Sequence, residues 1–281
     1  MKIKYLGTAA YEGIPGLFCR CETCEKSRRA GGRNLRSRSQ ALVNDDLLLD
    51  FPPDTLWHFQ RFGFDWSKID CCLITHSHSD HFYPEDMEMA ADGYCHGYER
   101  TLHYYAAEDA YRRIDALVRR SSMKRAADAT KVSPFDEFTA GRYGVLALPA
   151  SHAPDSSPLV YRISADGKSL FYGHDTGVLS EKSFERLAAA GRLDLISLDC
   201  TGGLVSGMRK GHMCLDTCLE VLESMEKAGI VDGRTVKVIN HFSHNGGATY
   251  EELVAAARPY GIIVSSVSYT HLRAHETLSD L

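Results

Sequence analysis

The segment Thr75–His81, THSHSDH, follows the apolar run Cys71, Cys72, Leu73, Ile74 and places three histidines and an aspartate within six positions. An apolar run of that length suits a buried strand. Imidazole and carboxylate are the common ligands of Zn²⁺ and similar divalent ions. Where a strand opens into a turn, His76 and His78, two apart, point the same way, and Asp80 and His81 come round from the turn. One short segment can then offer two ligands to each of two neighbouring ions. The plain alternative, a polar loop that happens to be rich in histidine, weakens with every additional fixed position. Any fold for this chain has to place a strand end where further ligands can converge on it.

The remaining chain offers such ligands. With 281 residues, 44% of them hydrophobic, there is material for one large domain or two merged lobes with a sizeable core. Residues 2 to 6 read as a strand, followed by a loop marked by Gly7, Gly13, Pro15 and Gly16. Gln40 to Val43 and Leu47 to Asp50 read as a hairpin around Asn44, Asp45 and Asp46. Helices are expected over 54–62, from Pro84 to about Asp92, and over 108–120, with a strand over 102–106. Ser121 to Ala129 reads as a mobile connection. Strands are expected over 143–148, 159–163, 169–172, 193–198, 235–239 and 262–264, and helices over 180–190, 215–228 and 250–257. His152, Asp175 and His241 each follow one of these strands, as the THSHSDH segment does. Functional groups on loops at the edge of a rigid sheet are a common arrangement.

A second cluster is independent of the first. Cys19, Cys21 and Cys24 (CRCETC) have the short spacing of a partial zinc site, and a tetrahedral site needs a fourth ligand, for which His244 is the candidate. The alternative is three unrelated reduced thiols. Nine cysteines behind an N-terminus without a long apolar core fit a reducing compartment, so a cytoplasmic location is expected. No run approaches the length of a membrane span. A net charge of −5 provides no general basic field, which weighs against nucleic acid as a partner.

The pattern HxHxDH resembles the signature of the metallo-β-lactamase superfamily. That resemblance implies an α/β architecture, an αββα sandwich of two mixed β-sheets flanked by helices. It also implies two catalytic divalent ions (Zn or Mn): His76, His78 and His152 on one, Asp80, His81 and His241 on the other, with Asp175 bridging. His174 rivals Asp175 in GHDTG, but a carboxylate can bridge two ions and neutral imidazole cannot. The implied reaction is hydrolysis by a hydroxide shared between the ions, with Asp80 counted as catalytic because it offsets cationic charge as well as ligating. His58, His96 and His103 are expected to be structural or surface residues.

The combination of CxCxxC, THSHSDH, GHDTG, a histidine after a glycine-rich loop and the HFSH pair is similar to the phosphoribosyl 1,2-cyclic phosphate phosphodiesterase group of the carbon–phosphorus lyase pathway. It implies a structural Zn on Cys19, Cys21, Cys24 and His244, and a histidine assisting the leaving group, for which His212 is the candidate. The plain alternative for His212 is a cap on the helix that follows. The expected function is a phosphodiesterase acting on a small cyclic or sugar-phosphate diester, with a homodimer as the candidate assembly. Competing readings are hydrolysis of a lactone, thioester or β-lactam, a tRNA-maturation nuclease, and a non-catalytic ligand-binding relative. Arg36, Arg38, Arg209 and Lys210 are candidates for a phosphate contact, set against simple solvation.

We assign the hydrolase domain to 1–266. The segment Val267–Thr277, VSYTHLRAHET, back-translates to something that looks like a transposase sequencing adapter read in frame. Residues 267–281 are therefore expected to be a non-native tail, and His271 and His275 are set aside as ligands.

Overall fold

The computed structural model describes residues 1–123, 125–266 and the backbone of 271–273. One sheet is built from β1 (Lys2–Gly7), β2 (Gln40–Val43), β3 (Leu47–Leu49), β4 (Cys71–Leu73), β5 (Leu102–Ala106) and β6 (Ala127–Lys131), in that order. The second contains β7 (Glu137–Ala140), β8 (Tyr143–Pro149), β9 (Leu159–Ala165), β10 (Lys168–Gly173), β11 (Leu195–Asp199), β12 (Val236–Asn240) and β13 (Ile262–Val264), again side by side in chain order. Both sheets are mixed, with β1–β2–β3 and β7 to β10 antiparallel and the remaining pairs parallel. A short strand, β14 (His271–Arg273), pairs with β1 at the edge of the first sheet. The rest of the adapter-like tail, 267–270 and 274–281, lies outside the described residues.

Successive strand side chains point to opposite faces, and the buried residues sort accordingly. Ala41, Val43, Leu47, Leu49, Leu73, Tyr161, Leu170, Tyr172 and Val238 meet between the sheets. Their neighbours Leu42, Leu48 and Cys72 face the outer side of the first sheet, and Phe171, Ile196 and Ile239 that of the second. Helices cover these outer faces. Ala110, Ile114 and Leu117 of α3 (Glu108–Val118) pack on the first sheet. The second is covered by Leu187 of α4 (Glu181–Ala189), Leu222 and Met225 of α5 (Leu215–Lys227) and Leu253 of α6 (Tyr250–Ala257). Each fully buried Leu or Ile contributes on the order of 1.5–3 kcal/mol. Of the two helices nearer the N-terminus, α1 (Glu22–Ala30) follows the cysteine motif, and α2 (Thr55–Phe62) follows the hairpin. This is the expected αββα sandwich.

Two expectations are corrected. The connection expected over Ser121–Ala129 contains the start of β6, whose exposed lysine and aspartate suit an edge strand. The segment after Pro84 is a 3₁₀ helix, Pro84–Ala90, rather than an α-helix to Asp92. Among the described residues no helix is long and apolar enough to cross a membrane.

Two tyrosines tie the sheets together at the end where the ligands lie. Tyr5 donates to Ser197 Oγ (2.7 Å) across the inter-sheet core. Tyr161 donates to the carbonyl of Ile74 (2.7 Å), and Leu159 N–H to that of Thr75 (2.8 Å), so β9 of the second sheet grips the first just before His76.

Candidate metal centre

Beyond β4 the chain makes one tight turn, with the amides of His81 and Phe82 both donating to His78 O (3.0 and 2.8 Å). That turn carries His76, His78, Asp80 and His81. The loops after β8, β10 and β12 bring His152, Asp175 and His241 to the same place. Ligand atoms of His76, His78, His152 and Asp175 all lie within 4.8 Å of one another, as do those of Asp80, His81, Asp175 and His241. Asp175 belongs to both groups. Its Oδ2 is 3.0 Å from His76 Nε2, 3.3 Å from His152 Nε2 and 3.4 Å from His81 Nε2. His174, the rival, points elsewhere: it is buried, bonded through Nε2 to Ser197 Oγ (2.7 Å) and packed on Tyr172.

The chemistry of the site suits divalent cations. Asp50, Asp80, Asp175 and Asp199 are all buried, and none is ion-paired to Lys or Arg among the described residues. His76 Nε2 and Asp175 Oδ1 are buried and make no well-aligned hydrogen bond, although each lies 3.0 Å from an ionisable neighbour, Asp175 Oδ2 and His212 Nδ1 respectively; a bound cation would relieve such a state. Without cations the charge demand falls on the imidazoles. Burial alone would lower His81, but Asp50 and Asp80 push it up to about 10. His212 is likewise opposed by burial and pushed up to about 10 by Asp175 and Asp199. His76 goes the other way, to about 4, because burial outweighs its carboxylate neighbour.

Two carboxylates not singled out in the sequence orient this constellation. Asp50, at the end of β3, accepts from Thr75 N and Oγ1 (2.8 Å each) and lies 2.7 Å from His81 Nδ1, which turns His81 Nε2 toward the centre. Asp199, at the end of β11, accepts from the amides of Asp175 (3.0 Å), Thr201 (3.0 Å) and Met213 (2.9 Å). Such outer carboxylates set ligand orientation and basicity. Asp199 carried a signal, since it too ends a predicted strand.

His212 Nδ1 lies 3.0 Å from Asp175 Oδ1 and 3.3 Å from Asp199 Oδ2. The following helix has Cys214 at its cap with no side-chain cap bond, so capping does not account for His212. A cleft of about 480 Å³ opens over the centre, lined in part by His78, Asp80, His152, Asp175 and His212. A smaller, apolar pocket between α2 and the Pro84–Ala90 turn contains none of these groups.

The cysteine cluster also assembles. Cys19 and Cys21 Sγ are 3.6 and 3.5 Å from His244 Nδ1, and Cys24 completes a group of four whose ligand atoms lie within 4.8 Å of one another. Burial raises the Cys24 thiol to about 12. The proposed phosphate contacts fare differently. Arg36 is buried, donates to Thr8 Oγ1 and Ser265 O, and stacks on Phe242, so its role is structural. Arg38 pairs with Asp54 and Arg209 with Glu220. His58 is buried, while His103 pairs with Asp128 on the surface and His96 is exposed.

In comparison with known proteins, residues 47–241 match the family described as a beta-lactamase superfamily domain. Among solved structures, a diphosphatase from the PhnP family superposes with a TM-score of 0.72 at 21% identity, covering 97% of both chains. Zn²⁺-bound PqqB from Methylobacterium extorquens gives 0.71 at 17%, covering 97% of this chain and 100% of its own. Human tRNase Z, short form, gives 0.65 at 14%, covering 98% and 99%. No curated protein matches the sequence. Together with the HxHxDH turn and the two seven-stranded sheets, the family match is decisive: the chain belongs to the metallo-β-lactamase superfamily of metal-dependent hydrolases.

Proposed function

We propose that this protein is a dinuclear metal-dependent phosphodiesterase acting on a small cyclic or sugar-phosphate diester. The observation that carries the dinuclear part is Asp175, one carboxylate shared by two ligand groups. In this reading His76, His78 and His152 hold one ion, Asp80, His81 and His241 the other, and the Cys19, Cys21, Cys24 and His244 group holds a structural zinc. Two divalent ions so placed would supply Lewis-acid polarisation of the phosphate and a water acidic enough to ionise near neutral pH.

The protein's own part is orientation and proton delivery. Asp50 and Asp199 keep His81 and the Asp175 loop aimed inward. His212 lines the cleft and is held through Nδ1 beside Asp175 and Asp199. That position over the centre suits a general acid delivering a proton to a departing alkoxide. The choice of a phosphodiester over other esters is supported by the motif combination that includes the Cys₃His cluster. It is also in keeping with the diphosphatase and tRNase Z among the structural relatives. The net charge of −5 favours a small diester over a nucleic acid. A second reading makes His212 a ligand, because its Nδ1 also falls within 4.8 Å of Asp199, Asp175 and His241 ligand atoms.

The test is hydrolysis of bis(p-nitrophenyl) phosphate by metal-reconstituted protein, alongside a lactone and a β-lactam, with metal content measured in the same preparation. Diester turnover that disappears together with bound metal in Asp175→Ala is expected. Turnover of the lactone or β-lactam alone, by fully metallated protein, would replace the substrate class.

A further inference from the structure

The apolar pocket on the outer side of the first sheet, about 210 Å³ in volume, holds none of the groups assigned to the metal centre. Tyr104 of β5, Phe59 of α2, Met87 of the 3₁₀ turn and Tyr98 of the loop before β5 line it, together with Phe51 and Trp66. The Phe51 ring lies 6.2 Å from both the Trp66 and the Tyr104 ring, centroid to centroid. Its amide donates to His81 O (2.7 Å), which links this wall to the metal-binding turn.

Two polar atoms interrupt the aromatic lining. Tyr98 Oη is buried without a hydrogen bond. Tyr104 is 3% exposed, and its hydroxyl likewise bonds to no described residue. Burial raises both phenols, Tyr104 well above the ordinary range, and the two are close enough for Tyr98 to add to the Tyr104 shift. Donors left unpaired in an apolar setting cost free energy that an acceptor would recover. Asp86 is the one charged side chain in the lining. An anion would meet that carboxylate, and an ammonium group has no acceptor to offer the phenols.

An apolar cavity of roughly 150 Å³ accommodates benzene, so the volume here suits one ring with a short substituent. Apolar walls with a few convergent polar groups are the usual form of a small-molecule site. Leu56, Phe59 and Met89 of the lining are exposed, which makes a second copy of the chain the rival occupant. The unpaired hydroxyls inside favour a molecule small enough to reach them.

We infer that this pocket is a second ligand site, separate from the metal centre, for a small uncharged aromatic molecule bearing one hydrogen-bond acceptor, with the Tyr98 and Tyr104 hydroxyls as its polar seat. The inference is independent of the diesterase reading.

Calorimetry on the metal-loaded full chain would compare acetophenone, ethylbenzene and 1-phenylethylamine, which share a ring and a two-carbon substituent and differ in the polar group. Acetophenone is expected to bind once per chain, and Ala90→Trp, which fills the pocket, to abolish that binding. Tyr98→Phe is expected to weaken acetophenone by about tenfold, the loss of one hydrogen bond, and to leave ethylbenzene essentially unchanged. Should either variant fail to fold, Tyr104→Phe gives the same comparison. No acetophenone binding at millimolar concentration overturns the proposal, as does full binding by folded Ala90→Trp. An equal response of acetophenone and ethylbenzene to the loss of a hydroxyl removes the polar seat. Tighter binding of the amine than of acetophenone would make Asp86 the determinant and overturn the ligand class. A dimer in sedimentation that binds none of the three would make the second copy the occupant instead.

Discussion

Asp50, Asp175 and His241 sit in left-handed backbone, with φ of 66°, 54° and 62°. For residues other than glycine this conformation costs on the order of 1–3 kcal/mol each and persists where the surroundings over-determine it. Here it turns three buried side chains toward one point immediately past a strand. His212 depends less on backbone than on the carboxylates that hold it. With His212 as the acid, His212→Ala is expected to keep both catalytic ions and lose roughly 10²- to 10⁴-fold in turnover of diesters with poor leaving groups. The loss should be much smaller with p-nitrophenolate, which needs no proton. Loss of one ion per chain, measured by metal analysis, would instead make His212 a ligand. At this scale the HxHxDH turn was legible because its four groups are local in sequence. Asp50 and Asp199 were legible only as aspartates ending predicted strands, a signal that acquires meaning from the groups they meet in space.

Among the secondary elements, α2 shows how a polar seat can be built on the first sheet. His58 is fully buried, with Nδ1 2.6 Å from Gln40 Oε1 and Nε2 2.8 Å from Ser37 Oγ. Burial depresses its value from 6.5 to about 3. The unfolded chain therefore takes up a proton on this residue near pH 6.5 while the folded chain does not. The stability it contributes is complete above about pH 6.5 and drains away as pH falls toward 3, by up to about 1.4 kcal/mol per unit. Urea unfolding from pH 7 to pH 4 is expected to show this slope in the unaltered protein and a flatter one in His58→Gln. Identical slopes would mean that His58 is not held neutral. The strands themselves were legible as apolar runs, and α6 and β13 fall at the expected boundaries. β6 was missed because its alternation is broken by charges on an edge that packing, not local pattern, defines.

For the molecule as a whole, the Cys₃His cluster joins the two ends of the domain. Cys19, Cys21 and Cys24 precede and open α1, which meets α6 through Lys26 and Glu252 (3.1 Å), while Asn34 just beyond it bonds Glu251 (2.9 Å). His244 closes the group from more than two hundred positions away. A zinc held there, as proposed, would cross-link a long loop and restrict the unfolded chain strongly. Cys24→Ser is expected to lose one zinc per chain, to lower the melting temperature by several degrees and to leave the two catalytic ions bound. Unchanged zinc content would show that the thiols are independent of one another.

The sequence by itself determined the metal-binding turn, the alternation of strands and helices, and the family to which both belong. Those are set by residues close together in the chain, through strand periodicity and ligand spacing. Only the tertiary structure decided that Asp50 and Asp199 aim the site, that His174 points away from it, and that Arg36 is buried in a structural role. Each of these depends on contacts between segments tens to hundreds of residues apart. Such contacts are fixed by how two sheets pack, and no local pattern encodes them.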